Sequence, residues 1–496
     1  MSELEEATRI LRRALSDLPA GLAWPAGKIP KPSEIFTPRR HKNVLDVTRS
    51  LVVGNRGVGK TFWSHALLSE GGREVAANAY GFPNLRTIDA VFGYKGTISD
   101  EFAPSPTVIA SALTKVRDVV DLWQAILLRC YGEAATQNLP TALDELASWF
   151  SSNPEEGEGR IRKADELRMR SGRPLVVLFD ALDTLATDWT EIRRRTEGLL
   201  RLAVLSKGLS ATYIKIFMRP DQLADAALFR FPDASKLRAE RVELQWSGAD
   251  LYGLMFFVLR QTEAARKSLD HILSYNGKFG AMSEFVQTVS EIAQRAAFEV
   301  LAGQWMGSNK KRGATYSWLV QHLADAKGET TPRGFLTALR TAADHEPAPI
   351  DQVIDYRGIQ QGVAEASDNR VDDLRQDYWW IDHIGDPLAG LETPLERQRL
   401  FEAWRAAGTA RAINAASETR GLPPVYLALR PRVSELPQDL AAALESDESA
   451  ILETLKLIGL VEIRSGGKVN VPDIFRVAFK MKRRGGVPPK RSAARN

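Results

Sequence analysis

The sequence predicts an α/β core, a parallel sheet of about five strands with flanking helices, followed by a helical lid and α-rich, winged-helix-like C-terminal modules. Three observations predict it. Short continuous apolar runs, SLVVG at 50–54 and PLVVLFD at 174–180, read as strands buried on both faces. Helix-period stretches separate such runs, which is the alternation that builds a parallel sheet. Beyond residue 246 the helical period takes over.

Along the chain, residues 2–18 read as an amphipathic helix with Leu4, Ile10, Leu11 and Leu15 on one face. Pro25, Pro30, Pro32 and Pro38 make 20–40 an extended linker. The strand at 50–54 leads into a helix over 59–69. A second short strand is expected at 73–79, and 80–108, with its scattered Gly and Pro, reads as loop. The pattern is helical from 109 to 150. The charged stretch 153–172 reads as a solvated loop and helix. PLVVLFD is a central strand ending in Asp180, 188–206 a helix, YIKIFM (213–218) a strand ending at Arg219-Pro220, and RVELQW (241–246) a fifth strand. Ser247 and Asp250 form a capping box ahead of the apolar helix LYGLMFFVL. Helices then run to a boundary at EPAPI, 346–350. Near the end, helical patterns at 436–444 and 447–458 precede two alternating runs around Ser465-Gly466-Gly467, and Gly459 stops the second helix. Helix, helix, hairpin is the order of a winged helix. The expected organisation is an N-terminal helix and proline-rich linker (1–40), a core (41–246), a helical lid (247–346), a helical module (347–430), a winged-helix-like domain (431–480) and a basic tail (481–496).

Ordinary apolar and charged fractions (44% and 26%) exclude disorder as the main state. The single cysteine, Cys130, excludes an intramolecular disulfide and reads as a packed core thiol within DLWQAILLRCYG. No stretch approaches the ~18 consecutive apolar residues of a membrane span. MSELEEATRI is acidic rather than apolar, so a cytoplasmic location is expected. The six histidines are scattered without metal-ligand spacing. Tyr378-Trp379-Trp380 reads as core or interface.

The stretch LVVGNRGVGKTFW carries the chemistry. Gly54-Asn55-Arg56-Gly57-Val58-Gly59-Lys60-Thr61 satisfies G-x-x-x-x-G-K-[ST] in full, with a strand before it and a helix after it. The glycines allow several backbone N–H groups to point at one phosphate, and the helix start adds its positive end. Lys60 reaches the β- and γ-phosphates and Thr61 ligates Mg²⁺. Asp180, at the C-terminal end of a buried strand, is the second magnesium acid. Asp183, three residues on, is the candidate for positioning the attacking water, with capping of the next helix as the alternative. ATP (or ADP) and Mg²⁺ are the expected ligands.

These residues resemble the Walker A and Walker B motifs of P-loop NTPases in the branch of the AAA+ and STAND ATPases. In that branch a further strand lies between the P-loop strand and the Walker B strand, and YIKIFM suits that place. The resemblance makes Arg219, at its end, a phosphate sensor. D-A-L-D here is similar to the D-x-x-D form of STAND and related bacterial ATPases rather than the D-E of most AAA+ proteins. One of Arg193, Arg194 and Arg195 could act in trans as an arginine finger, a solvated helix face being the alternative. In KGETTPRGFLTAL, Thr331 caps a helix, Pro332 opens it, and Arg333 sits in the first turn, where the dipole disfavours a cation. The resemblance makes Arg333 a nucleotide sensor of the lid; a surface arginine beside a carboxylate is the alternative. The ligand is then expected between core and lid.

The net charge of +4 is uneven. From Leu460 onward the chain holds ten Lys/Arg and two acids, a net +8, so the first 459 residues sum to −4. Arg476, Lys480, Lys482, Arg483, Arg484, Lys490 and Arg491 are candidate nucleic-acid contacts. A protein contact is the alternative. Three functional classes follow: a STAND-like regulator or defence ATPase assembling with a partner protein or with itself, a DNA-bound loader or initiator, and a nucleotide-holding structural or nucleic-acid-binding protein without turnover.

Overall fold

The computed structural model describes residues 2–18, 28–98, 103–276, 288, 290–420 and 447–483. The chain forms two compact units, one of Trp24–Gln245 and one of Met1–Ala23 together with Trp246–Asn496. The first is therefore an insertion in the second.

Helix α1, Glu3–Ser16, opens the chain. Its reciprocal cap joins Ser2 and Glu5: the Glu5 N–H donates to Ser2 Oγ at 3.2 Å and the Ser2 N–H to Glu5 Oε2 at 2.7 Å. Ala7, Leu11 and Leu15 are buried, while Leu4 and Ile10 are only partly covered.

In the inserted unit, strand β1 (Leu51–Val53) leads through the glycine loop to α2 (Lys60–Leu68), and α3 (Glu70–Tyr80) follows. The short strand expected at 73–79 is thus a helix. Ser69 caps it, accepting from the Gly72 N–H at 2.9 Å, and its alanines favour the helix. The second strand lies instead at Asp89–Tyr94, β2, inside the stretch expected to be loop. Gly93, which weakens the strand pattern, is there for packing: an added Cβ would run into the Phe179 ring.

Helices α4 (Pro106–Leu113), α5 (Val119–Cys130), α6 (Leu143–Ser152) and α7 (Pro154–Ser171) come next. Cys130 is buried, and burial pushes its thiol up to about 12. The charged stretch is a single helix rather than loop and helix, and it is not merely solvated. Buried Asp165 accepts from the N–H groups of Ser210 (2.8 Å) and Ala211 (3.0 Å) and from Thr212 Oγ1 (2.7 Å). One carboxylate on a polar-looking helix thereby fixes the start of a strand.

Strand β3 (Leu175–Phe179), α8 (Trp189–Leu205), β4 (Thr212–Met218) and a two-residue β5 (Val242–Glu243) complete the sheet. All pairings are parallel, in the order β2-β3-β4-β1-β5. β4 therefore separates β1 from β3, as expected for YIKIFM. The fifth strand is shorter than RVELQW suggests. Lys215, in the middle of β4, is fully buried and donates to the carbonyls of Asp46 (2.9 Å) and Arg49 (3.0 Å). It ties β4 to the segment that enters β1, and burial draws its pKa down to about 7.

The second unit is helical: α9 (Gly248–Leu259), α10 (Glu263–Tyr275), α11 (Glu291–Ala302), α12 (Thr315–Leu323), α13 (Pro332–Ala343) and α14 (Tyr356–Asp377). The Ser247–Asp250 capping box forms as expected. Helix α1 packs on α10 and α13. Helices α13 and α14 approach closely because Gly358 and Gly362, one turn apart, face Ala342 and Ala338. An added Cβ at Gly362 would overlap the Ala338 carbonyl oxygen. Gly362→Ala is expected to lower this unit's melting temperature by several degrees, from about 1–3 kcal/mol of overpacking at about 2–4 °C per kcal/mol. Gly248→Ala, whose Cβ meets nothing nearer than 3.8 Å, serves as the control. Equal calorimetric midpoints for the two variants would refute the packing argument.

Beyond α14 come α15 (Arg397–Ala406), α16 (Thr409–Arg420) and α17 (Asp447–Leu457). The helix expected at 436–444 lies outside the described residues. Gly459 (φ 76°) follows α17, and strands β6 (Glu462–Ile463) and β7 (Val469–Asn470) form the antiparallel hairpin expected there. Leu395 adds a further rung, exchanging backbone hydrogen bonds of 2.8 and 2.9 Å with Val469. The hairpin is thus built with a residue well upstream of 431, where the sequence placed the start of the module. Tyr378 and Trp380 are buried. Among the described residues, no helix is long and apolar enough to cross a membrane.

Candidate functional site

The glycine loop connects β1 to α2 at the C-terminal edge of the sheet. Gly54 donates its N–H to the Met218 carbonyl of β4 at 3.0 Å, which anchors the loop's start. A Cβ there would meet Val58 Cγ2 at 2.7 Å, so Gly54 is fixed by crowding. Gly57 (φ 77°) and Gly59 (φ 104°) are fixed by conformation, in the left-handed region that side chains disfavour. A Cβ on Gly59 would meet nothing within 4 Å, so φ alone requires glycine there.

Gly59 is the N-cap of α2, and no side-chain hydrogen bond caps that end among the described residues. The first N–H groups of α2 are of the kind that accept an anion. Lys60 Nζ folds back over the loop and donates to the carbonyls of Gly54 (2.7 Å) and Asn55 (2.9 Å). Thr61, one residue on, is exposed.

Asp180 stands at the end of β3, 4% exposed. Its N–H donates to the Tyr94 carbonyl of β2 at 3.0 Å. Its Oδ1 accepts from the Ala181 N–H at 2.8 Å. Ser64 Oγ lies 3.2 Å from Asp180 Oδ2 and 3.0 Å from the Thr61 carbonyl, so one hydroxyl proton serves both acceptors. Ser64 is a link the sequence reading missed. Its place one turn after Thr61 on a helix is the signal that could have found it.

Ala181 has φ 55°, a left-handed turn at a non-glycine residue that costs about 1–2 kcal/mol. Beyond that turn, Asp183 Oδ2 lies 3.4 Å from Arg219 Nη1 and 3.7 Å from Arg56 Nη2. Arg219, 9% exposed at the end of β4, is gripped from the other side by Asp221, with Nε at 3.0 Å and Nη2 at 2.7 Å. Asp221 is a second missed residue; it follows Arg219 by two positions and belongs to the same short capped turn. Tyr94 is fully buried beneath this edge, its hydroxyl 2.9 Å from Thr184 Oγ1, and burial raises its pKa to about 12. The fold thus gathers Arg56, Lys60, Thr61, Asp180, Asp183 and Arg219 from the ends of three strands.

The donor set suits a magnesium ion. A buried carboxylate and an exposed hydroxyl are hard oxygen ligands, and such a site leaves the remaining positions to water and phosphate.

The remaining candidates have partners of their own. Arg193 pairs with Asp225 at 2.6 Å, Arg194 with Glu191 at 3.1 Å, and Arg195 is buried against the Leu185 carbonyl. Arg194, about half exposed, is the most accessible of the three. Arg333 belongs to the other compact unit. Thr331 caps α13 as expected, accepting from the Gly334 N–H at 3.2 Å. Arg333 Nη1 donates to both carboxylate oxygens of Asp373 at 2.8 and 2.9 Å, which supplies the anion its place in the first turn calls for.

The basic end divides. Arg476 is fully buried, donating to Asp473 at 2.7 Å and to the Met481 carbonyl at 2.9 Å. This corrects its assignment as a phosphate contact: the apolar spacing of IFRVAF turns it inward onto a buried acid. Arg483 also reaches Asp473, at 3.2 Å. Lys480 and Lys482 are exposed. Arg484, Lys490 and Arg491 lie outside the described residues.

Compared with family models, with curated proteins and with solved structures, the chain matches none of them.

Proposed function

We propose that this protein is an ATP-binding and ATP-hydrolysing molecular switch of the AAA+/STAND type, whose nucleotide state controls assembly with a partner. One observation carries the reading. A complete G-x-x-x-x-G-K-T loop runs from a buried strand into an uncapped helix, with Asp180 joined to that helix through Ser64. The sheet order, with β4 between β1 and β3, is the one the resemblance calls for.

Lys60 and the loop N–H groups bind the phosphates, and Thr61 and Asp180 would hold magnesium. When bound, that ion would supply neutralisation of the phosphate charge. Asp183, a partly exposed carboxylate, orients the attacking water, and Arg219 meets the charge that develops on the terminal phosphate.

Of the assembly partners considered, a protein or a second copy of the chain is favoured over DNA. The burial of Arg476 and the pairing of Arg483 with Asp473 remove two of the cations a DNA contact would use. The test is phosphate release by the full-length chain with ATP and Mg²⁺. Release that stops on chelation, with a rise in solution mass on AMP-PNP but not on duplex DNA, is expected. Absence of both ATP binding and turnover sinks the reading; a mass increase seen only with DNA replaces the partner.

A further inference from the structure

We propose that the Arg56 side chain, carried by the glycine loop itself, binds the terminal phosphate directly and sets the preference for triphosphate over diphosphate. The inference rests on the nucleotide-binding reading above and deepens it.

Two guanidinium groups, one from the glycine loop and one from the end of β4, converge on one oxygen. Asp183 Oδ2 lies 3.7 Å from Arg56 Nη2 and 3.4 Å from Arg219 Nη1. Both separations exceed the ~2.7–2.9 Å of a charge-assisted hydrogen bond. The oxygen is held by one long hydrogen bond from Arg219 Nη1 and by the charge of Arg56. The grip of Asp221 on Arg219 is tight by contrast, at 2.7 and 3.0 Å, and uses the Nε and Nη2 edge. Arg219 is thus anchored from behind with Nη1 turned toward Asp183.

Arg56 and Asp183 are 29% and 26% exposed, open enough to exchange partners. Arg56 also follows directly on Gly54 and Asn55, whose carbonyls hold Lys60 Nζ. Both cations of the loop therefore start from one turn.

Asp183 Oδ2 thus occupies a position where two arginines meet a single anionic oxygen. A terminal phosphate carries more charge than a carboxylate and matches the guanidinium fork. It displaces Asp183 from both arginines and frees that carboxylate to face water. A diphosphate lacks the group that would reach them. Arg56 is then a specificity-determining contact, and no second protein is needed to supply it.

The experiment measures the affinity of the full-length chain for ADP and for AMP-PNP, each with magnesium. Arg56→Gln is expected to weaken AMP-PNP about 10- to 100-fold and ADP by less than about 3-fold, with Arg56→Lys between it and wild type. Asp183→Asn, which removes the competing charge, is expected to strengthen AMP-PNP about 2- to 5-fold. Equal losses for both nucleotides in Arg56→Gln, or no loss, overturn the proposal, as does weaker AMP-PNP binding in Asp183→Asn. Wild-type protein that binds neither nucleotide overturns the underlying reading; wild-type binding with an unchanged ratio in Arg56→Gln overturns this inference alone.

Discussion

Lys60→Ala is expected to weaken ATP binding about 10²- to 10³-fold, equivalent to about 3–4 kcal/mol for one charged donor aimed at phosphate in a preorganised site. Turnover at ordinary ATP concentrations would fall below detection. The fold should survive. Lys60 donates to the Gly54 and Asn55 carbonyls, and both Asn55 and Lys60 are partly exposed, so water can replace the ammonium there. Isothermal titration against ATP, with a thermal melt of the same sample, separates the two effects. An unchanged melt with lost binding is the expected pair. Wild-type affinity in the variant would remove the glycine loop from the mechanism.

Asp180→Asn is the second large effect, and its signature is different. Asparagine keeps the shape, can still accept from the Ala181 N–H, and can face Ser64 with its amide. What is lost is the charge. Nucleotide binding without magnesium should stay within about 3-fold of wild type, while the gain in affinity on adding magnesium largely disappears. Turnover should fall about 10²-fold or more, from the several kcal/mol that a correctly held divalent ion contributes. Titrating ATP with and without magnesium tests this. A variant that keeps the full magnesium gain would show that Asp180 only caps its strand end.

How much of this was legible beforehand depended on the kind of signal. The loop from Gly54 to Thr61 was readable because each residue type answers a local demand, and Asp180 because a buried strand must end at the sheet edge. The strand β2 was not readable. Its Gly93 serves the Phe179 ring of a neighbouring strand, a tertiary demand that looks in sequence like a loop. The helix α3 reads as a short strand because so brief a window, 73–79, does not fix a period. Asp165 and Arg476 show the same limit from the polar side. Charged residues in charged stretches read as solvated, yet both are buried, one fixing the start of β4 and the other held on Asp473. Ser64 and Asp221 were in plain view, but their roles exist only once α2, β3 and β4 stand side by side.

The seating of α1 has a consequence for how the molecule is made. This helix packs on α10 and α13, and Arg12 reaches across to the carbonyls of Pro349 (2.7 Å), Gln352 (2.8 Å) and Val353 (2.9 Å). It leaves the ribosome well ahead of those partners, the last of which is synthesised about 340 residues later, a wait of roughly 15–70 s at ~5–20 residues per second. A 14-residue helix is marginal alone in water, so Leu11 and Leu15 spend that interval without their seat. The inserted unit, Trp24–Gln245, is contiguous and can close meanwhile. Synthesis therefore completes the unit that carries the glycine loop before the unit that surrounds it in sequence, and α1 docks only after that inserted unit has been made.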